Sequence, residues 1–174
     1  MKFKKFYYKK IKSTNDKALK HIKKGDEKGI ILTNAQTKGK GQRGKNWISL
    51  KGNLFMSVFF EIKNKSNLKK ITNLNCYLVR DCLQKLTNFK ISIKRPNDLL
   101  IKKQKICGIL QETVQKNSIK YLIIGIGLNL VKSPNITSYP TTNMYDLTNK
   151  KISLKKISRE LKIIYKNFLK SKRY

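Results

Sequence analysis

Three stretches of the sequence set basic and amide side chains beside glycine or a turn, a combination suited to binding anions. The first is Gly39-Lys-Gly-Gln-Arg-Gly44-Lys45-Asn46. Its glycines let backbone amides approach an anion, while Lys40, Arg43 and Lys45 supply charge. The spacing satisfies GxxxxGK, but Asn46 stands where a phosphate-binding P-loop carries the Ser or Thr that holds magnesium. Trp47 to Asn53 reads as turn and then strand, so no helix N-terminus would face the phosphates, and the P-loop reading is rejected. What remains is a flexible basic loop between strands; an exposed hairpin in a lysine-rich chain would look the same. The second stretch, Lys94-Arg-Pro-Asn-Asp98, puts Lys94 at a strand end with Asn97 and Asp98 in the turn after it, because Pro96 removes a ladder donor. A lysine beside a carboxylate suits a phosphoryl group, and a plain Asn-Asp turn is as common. In the third, Gly125-Ile-Gly-Leu-Asn129, two glycines interrupt an apolar strand, as Gly108 does in Lys105-Ile-Cys-Gly-Ile-Leu110. Glycine inside a strand often marks close approach of a ligand or another backbone.

Covalent catalysis has little support. Cys76, Cys82 and Cys107 contain no CxxC pair and His21 is the only histidine, so neither a disulfide framework, a zinc site nor a Ser-His-Asp or Cys-His set is expected. His21 falls on a lysine-rich helix, and Cys107 lies in an apolar strand where an inert buried thiol is the default. Chemistry run by positioning and positive charge around phosphates fits better, and adenylate formation is of that kind.

The elements that must hold these stretches follow from periodicity. Ser13 and Thr14 with Asp16 start a helix whose apolar side is Ala18, Leu19 and Ile22 and whose stop is Gly25. A strand over 29–36 leads into the glycine loop. Residues 53–62 are apolar on both parities, which predicts a central strand covered on both faces. The spacing of Leu68, Ile71, Leu78, Cys82 and Leu86 predicts an amphipathic helix, and that of Leu154, Ile157, Leu161, Ile164 and Phe168 a final one. Strands are expected at 90–94, 98–102, 105–114 and 119–131, with polar hairpin turns at 102–104 and 116–118. Consecutive strands in the second half imply an α+β fold, a mixed and largely antiparallel sheet with helices packed on it, and argue against a doubly wound Rossmann fold. No repeat or linker divides residues 1–174, so one domain is expected.

In order, these segments resemble the catalytic domain of bacterial biotin protein ligases, the biotin–[acetyl-CoA-carboxylase] ligases. Ser13-Thr-Asn15 resembles the family's STN segment, and Gln36 to Trp47 its glutamine plus GRGRRGRxW loop; Ser49, Gly52 and Asn53-Leu54 continue the pattern. Lys94-Arg-Pro-Asn-Asp-Leu99 is similar to KWPNDL, Lys105 to Glu112 to KxxGILxE, and Gly125 to Asn129 to GIGxN. The resemblance spans about residues 13 to 130. It implies a fold like that of class II synthetase catalytic domains and a two-step reaction. Biotin and MgATP would give biotinyl-5′-adenylate and pyrophosphate, and the biotinyl group would then pass to one lysine of a biotin carboxyl carrier domain.

By the same resemblance Ser13, Thr14, Asn15 and Gln36 would hydrogen-bond the ureido ring. The loop from Gly39 to Lys45, with Lys40, Gly41, Gln42 and Arg43 among its contacts, would close over the adenylate and screen it from water, and Arg43 and Lys94 would be catalytic. Lys94 would contact the carboxylate and α-phosphate. Gly108, Gly125 and Gly127 would leave room for ligand beside the sheet, and Asn129 would lie near the adenylate. ATP with Mg²⁺ would be co-substrate and biotin substrate, with no resident metal and no tightly bound prosthetic group. Lys40 and Gln42 stand where the family loop has arginine, and Arg95 where KWPNDL has tryptophan. The resemblance begins at residue 13 and the chain stops soon after a helix. Neither an N-terminal helix-turn-helix domain nor a C-terminal small β-barrel is therefore expected, nor is DNA binding; a homodimer is left open. A lipoate or octanoate ligase on the same fold is the alternative, disfavoured by the glycine loop with Trp47 and by the lack of a well-placed nucleophilic cysteine.

Charge bears on a rival class. Lys and Arg number 41 against 9 Asp and Glu, a formal net charge of +32, which points first to a polyanion. Yet 36 of the 41 are Lys, and Lys, Asn and Ile together make 73 of 174 residues. All three can be encoded by A and T alone, so genomic drift across solvated faces competes with a basic RNA-binding module. The 39% hydrophobic content is enough for a core. No apolar run marks a signal peptide or a membrane span, and the cysteine usage suits a reducing, cytoplasmic setting.

Overall fold

Alternation along the strands divides the protein into two faces. The computed structural model describes residues 3–63 and 67–171. Seven strands, β1 (Lys4–Tyr8), β2 (Lys28–Thr33), β3 (Leu54–Ile62), β4 (Ile91–Lys94), β5 (Asp98–Ile101), β6 (Gln104–Lys116) and β7 (Ile119–Leu128), form one sheet in the order β1-β2-β3-β7-β6-β5-β4. Only β1 and β2 are parallel, and the other neighbours are antiparallel. Helices α1 (Thr14–Lys23), α2 (Leu68–Gln84), α3 (Met144–Thr148) and α4 (Leu154–Lys170) complete the α+β fold expected from the order of elements.

On β7, Leu122, Ile124, Ile126 and Leu128 face the main core, where they meet Ile71 and Val79 of α2 and Ile157, Leu161 and Phe168 of α4. Tyr121 and Ile123 face the other way and, with Ile31 and Phe59, cover Ala18 and Ile22 of α1. Each such aliphatic side chain contributes about 1.5–3 kcal/mol of burial. β3 is buried on both parities because α1 lies over one side of it and α4 over the other.

α1 is held at both ends. Ser13 Oγ accepts from the amide of Asp16 at its start, and Lys116 Nζ, from the end of β6, donates to the Ile22 carbonyl at 3.0 Å near its finish. Gly25 then turns the chain with φ +100°, a conformation that penalises any Cβ.

Two elements escape the periodicity. β1 reads as a basic terminus, yet it pairs with β2 and closes a β-α-β unit through α1. Helix α3, only five residues long, is started by the Asn143 side chain. Asp98 also departs from its expected place in the turn. Arg95, Pro96 and Asn97 suffice to reverse the chain, and Asp98 opens β5, paired with Lys94 on one side and Gly108 on the other.

Candidate active site

The second face of the sheet, beyond the end of α1, carries a cavity of about 390 Å³, within the range of roughly 300–1,000 Å³ usual for ligand pockets. It is built from three sides. The start of α1 presents Ser13, Thr14 and Asn15; the glycine loop crosses above; and the turn between β4 and β5 closes the remaining edge.

At one end the groups are neutral and tightly ordered. Gln36 Oε1 accepts from the amide of Thr14 at 2.8 Å and from its hydroxyl at 3.1 Å, while Gln36 Nε2 donates to Ser49 Oγ. Asn15 is 3% exposed and completes this end. Its carboxamide accepts from Ser57 Oγ at 2.5 Å and donates to Glu112 Oε2 at 2.7 Å.

The rest of the lining is mostly cationic. Lys40, Arg43, Lys45, Lys94, Arg95, Lys103 and Lys105 all line the cavity, against the single carboxylate of Asp98. Lys105 Nζ lies 2.8 Å from Asp98 and over the rings of Trp47 and Tyr139, at 5.5 and 5.1 Å from their centroids. Lys94 is exposed and has no protein partner for its ammonium among the described residues, so its charge is available to a ligand.

The glycine loop is a narrow hairpin. The Gly41 amide donates to the Lys45 carbonyl at 2.6 Å and the Trp47 amide to the Gly39 carbonyl at 2.9 Å. A short 3-10 turn over Gln42–Gly44 makes its tip, with Arg43 in the left-handed region at φ 53°. Lys40 is anchored to Asp16 in the first turn of α1, a contact that raises the lysine's pKa.

Of the fourteen residues that the family resemblance assigns to the site, twelve line this cavity: Ser13, Thr14, Asn15, Gln36, Lys40, Gly41, Gln42, Arg43, Lys94, Gly108, Gly125 and Gly127. Gly39 and Asn129 do not. Gly39 is buried under its own loop, where a Cβ would meet the Trp47 carbonyl. Asn129 is a structural knot: its amide donates to Ile106 O at 2.8 Å, its side chain to Thr142 O at 3.1 Å, and its carbonyl accepts from Met144 N at 3.0 Å.

The glycines admit close packing, though by protein rather than by open space. A Cβ on Gly127 would lie 2.5 Å from Trp47 Cε2, and one on Gly108 2.7 Å from Trp47 Cζ3, so the indole is seated on these two residues. The Asn15 carboxamide covers Gly125 in the same way. Sequence reasoning did not rank Trp47, Lys103, Tyr139 or Glu112 as site residues. Tyr139 sits in a segment without periodicity and arrives because that segment pairs with Lys105, whose amide donates to the Pro140 carbonyl and whose carbonyl accepts from the Thr142 amide. Cys76, Cys82 and Cys107 are buried and none lines the cavity; burial pushes the first two thiols up to about 11 and Cys107 further. Among the described residues no three metal-ligating side chains cluster, and no helix is long and apolar enough to cross a membrane.

Comparisons with known proteins agree with this geometry. The family model for the biotin/lipoate A/B protein ligase family matches residues 7–129. The bifunctional ligase/repressor BirA of Escherichia coli is 32% identical over 123 residues, 69% of this chain and 38% of that protein. The biotin–[acetyl-CoA-carboxylase] ligase of Paracoccus denitrificans is 28% identical over 130 residues, 71% of this chain and 53% of the relative. The chain thus spans about a third to a half of these relatives. Among solved structures, the biotin protein ligase of Aquifex aeolicus in complex with biotin and ATP superposes with a TM-score of 0.78 at 27% identity, covering 96% of this chain and 70% of that one. A lipoate protein ligase from Thermoplasma acidophilum shares the fold, with a TM-score of 0.62 at 12% identity. The matched span, the sheet order and the cavity residues lead to one conclusion: the chain belongs to the biotin/lipoate A/B protein ligase family.

Proposed function

We propose that the chain activates biotin with MgATP and transfers the biotinyl group to a lysine of a carboxyl carrier domain. The observation that carries this reading is the lining of the cavity, which combines the neutral hydrogen-bonding groups of Ser13, Thr14, Asn15 and Gln36 with seven cations against one carboxylate. Biotin has a neutral ureido ring at one end and a carboxylate at the other, and ATP adds a polyphosphate beside that carboxylate. The Paracoccus denitrificans relative, named as a biotin–[acetyl-CoA-carboxylase] ligase, supports the same assignment.

In the first step a carboxylate oxygen of biotin attacks the α-phosphorus, a mixed anhydride forms, and pyrophosphate leaves. Both reactants are anions, so the barrier falls when fixed cations face the developing charge in a water-poor cleft. Lys94 and Arg43 take this role, with Lys105 held by Asp98 behind them. Ser13, Thr14, Asn15 and Gln36 fix the ureido ring and so place the carboxylate. Magnesium comes with ATP. In the second step the amine of the carrier lysine attacks the acyl carbonyl, AMP departs, and the nitrogen loses a proton. Between the steps, the hairpin over residues 39–45 keeps water from the anhydride.

The test is a transfer assay with purified protein, ATP and a carrier domain, supplying biotin or lipoate and reading pyrophosphate release and the mass of the carrier. Biotin transfer is the expected result. Lipoate transfer without biotin transfer would overturn the proposal in favour of the family's other branch.

A further inference from the structure

Glu112 and Ser57 do not line the cavity, yet both grip a residue that does. Asn15 is 3% exposed and Ser57 is fully buried, so the orientation of the amide between them is set by hydrogen-bond sense and not by water. A carboxylate only accepts, and Nδ2 is the only donor atom of an asparagine side chain. The 2.7 Å contact of Asn15 with Glu112 therefore fixes nitrogen toward β6, which turns the oxygen toward β3, where the Ser57 hydroxyl donates to it at 2.5 Å. The reversed amide would set oxygen against carboxylate, an arrangement that a buried site strongly disfavours. Gly125 lacks the Cβ that would otherwise collide with the carboxamide. Nδ2 carries a second hydrogen, for which no protein acceptor exists among the described residues, and Asn15 lines the cavity.

We infer that Glu112 and Ser57 are positioning residues that hold the Asn15 amino group ready for a carbonyl acceptor on the buried end of the ligand. The inference rests on the proposed function and deepens it, because it names what the polar end selects. A cyclic urea or lactam offers the acceptor, whereas the dithiolane ring of lipoate does not. A site built to hydrogen-bond a polar group rejects an analogue that lacks it far more strongly than an apolar pocket rejects an extra one, because the buried donor is then left unpaired. The Asn15–Glu112–Ser57 chain is thus a specificity determinant within a family whose members take either ring.

A charge-reversed pair tests this. Asn15→Asp alone sets a buried carboxylate against the part-buried carboxylate of Glu112 and lowers the melting temperature by at least about 5 °C, since the like charges repel where water screens them little. Adding Glu112→Gln restores the interaction with reversed sense, the new carboxamide on β6 donating and the new carboxylate on α1 accepting. The melting temperature then returns to within about 2 °C of the parent. The double variant still lacks the donor facing the cavity, so its biotin dissociation constant by calorimetry rises at least roughly tenfold. A purely structural role would restore affinity along with stability. Two results overturn the inference: a double variant that binds biotin within twofold of the parent, or an Asn15→Asp variant as stable as the parent. Should the unmodified protein bind lipoate and not biotin, the proposed function fails together with the ligand half of this inference. The two melting temperatures still decide the positioning half.

Discussion

Replacing Gly127 by alanine puts a methyl carbon 2.5 Å from Cε2, 2.7 Å from Cζ2 and 2.8 Å from Nε1 of Trp47. Carbon atoms pack at about 3.5–4.0 Å, so something must move by roughly 1 Å. Two partners could yield. Gly127 lies inside the sheet, paired with Phe55 on one side and Gly108 on the other, and a shift there would disturb two ladders. Trp47 ends a hairpin loop held by backbone bonds within the loop and by the Lys40–Asp16 ion pair, a lighter attachment than two strand ladders, so the loop gives way. The loss of stability then stays near 1 kcal/mol, at the low end for overpacking, and the melting temperature falls by about 2–4 °C. The consequence for activity is larger. A displacement of about 1 Å in a group that lines the proposed site can cost up to about a hundredfold, so kcat/KM for biotin-dependent pyrophosphate release should drop at least tenfold. Trp47 is the only tryptophan of the chain, and its fluorescence reports the displacement directly, as a shifted emission maximum in Gly127→Ala. Unchanged emission with a large drop in melting temperature would show that the sheet yields instead of the loop. Unchanged emission and unchanged kcat/KM would refute the reasoning altogether.

Other expectations are as concrete. Lys94→Ala should slow pyrophosphate release at least tenfold while biotin affinity changes by less than about threefold, because the proposed mechanism gives its ammonium to the α-phosphate and not to the ureido ring; equal losses in both would remove its assigned role. Lys105→Met should lower the melting temperature more than Lys94→Ala does, since it strands the Asp98 carboxylate, and a thermal melt compares the two. The hydrogen bond from Lys4, and then that from His21, hold the Asp26 carboxyl below its ordinary value. A group with a depressed pKa stabilises the fold above its unfolded value near 4 and loses that contribution as pH falls through the folded value. Melts from pH 7 downward should therefore converge for the parent and Asp26→Asn in acid, having differed at neutrality. With Cys76 and Cys82 pushed up to about 11 and Cys107 beyond, native protein at pH 8 should take up no iodoacetamide on the minutes scale, while unfolded protein takes up three equivalents by mass.

What could be read from the sequence follows from how local each signal is. Helices α1, α2 and α4 were legible because their apolar residues recur at helical spacing, and β3 because its apolar run is unbroken. The hairpin turns at Lys102-Lys103 and Asn117-Ser118 declared themselves by polar residues, which here adopt positive φ. β1 was not legible: Phe6 and Tyr8 carry its partial burial, but the lysines before and after them and the long-range pairing to β2 mask the alternation. In the cavity, motif residues such as Gln36 and Lys94 stood out by type and setting. Tyr139 and Lys103 did not, because their presence depends on a backbone bond to Pro140 and on where a tight turn points. Glu112 was visible as a letter in a motif, but its grip on Asn15 spans 97 positions and no local pattern encodes it.

Strand β7 assigns alternate residues to different tasks. Gly125 and Gly127 floor the cavity, while Ile124 and Ile126 belong to the core. A slip of β7 by one residue would exchange these sets, sending isoleucines into the ligand space and glycines into the interior. Such a molecule would be dead and not merely slow. Specific activity therefore counts molecules whose central strand has zipped in the right phase, and an activity titration doubles as a census of folding fidelity in any preparation of this protein.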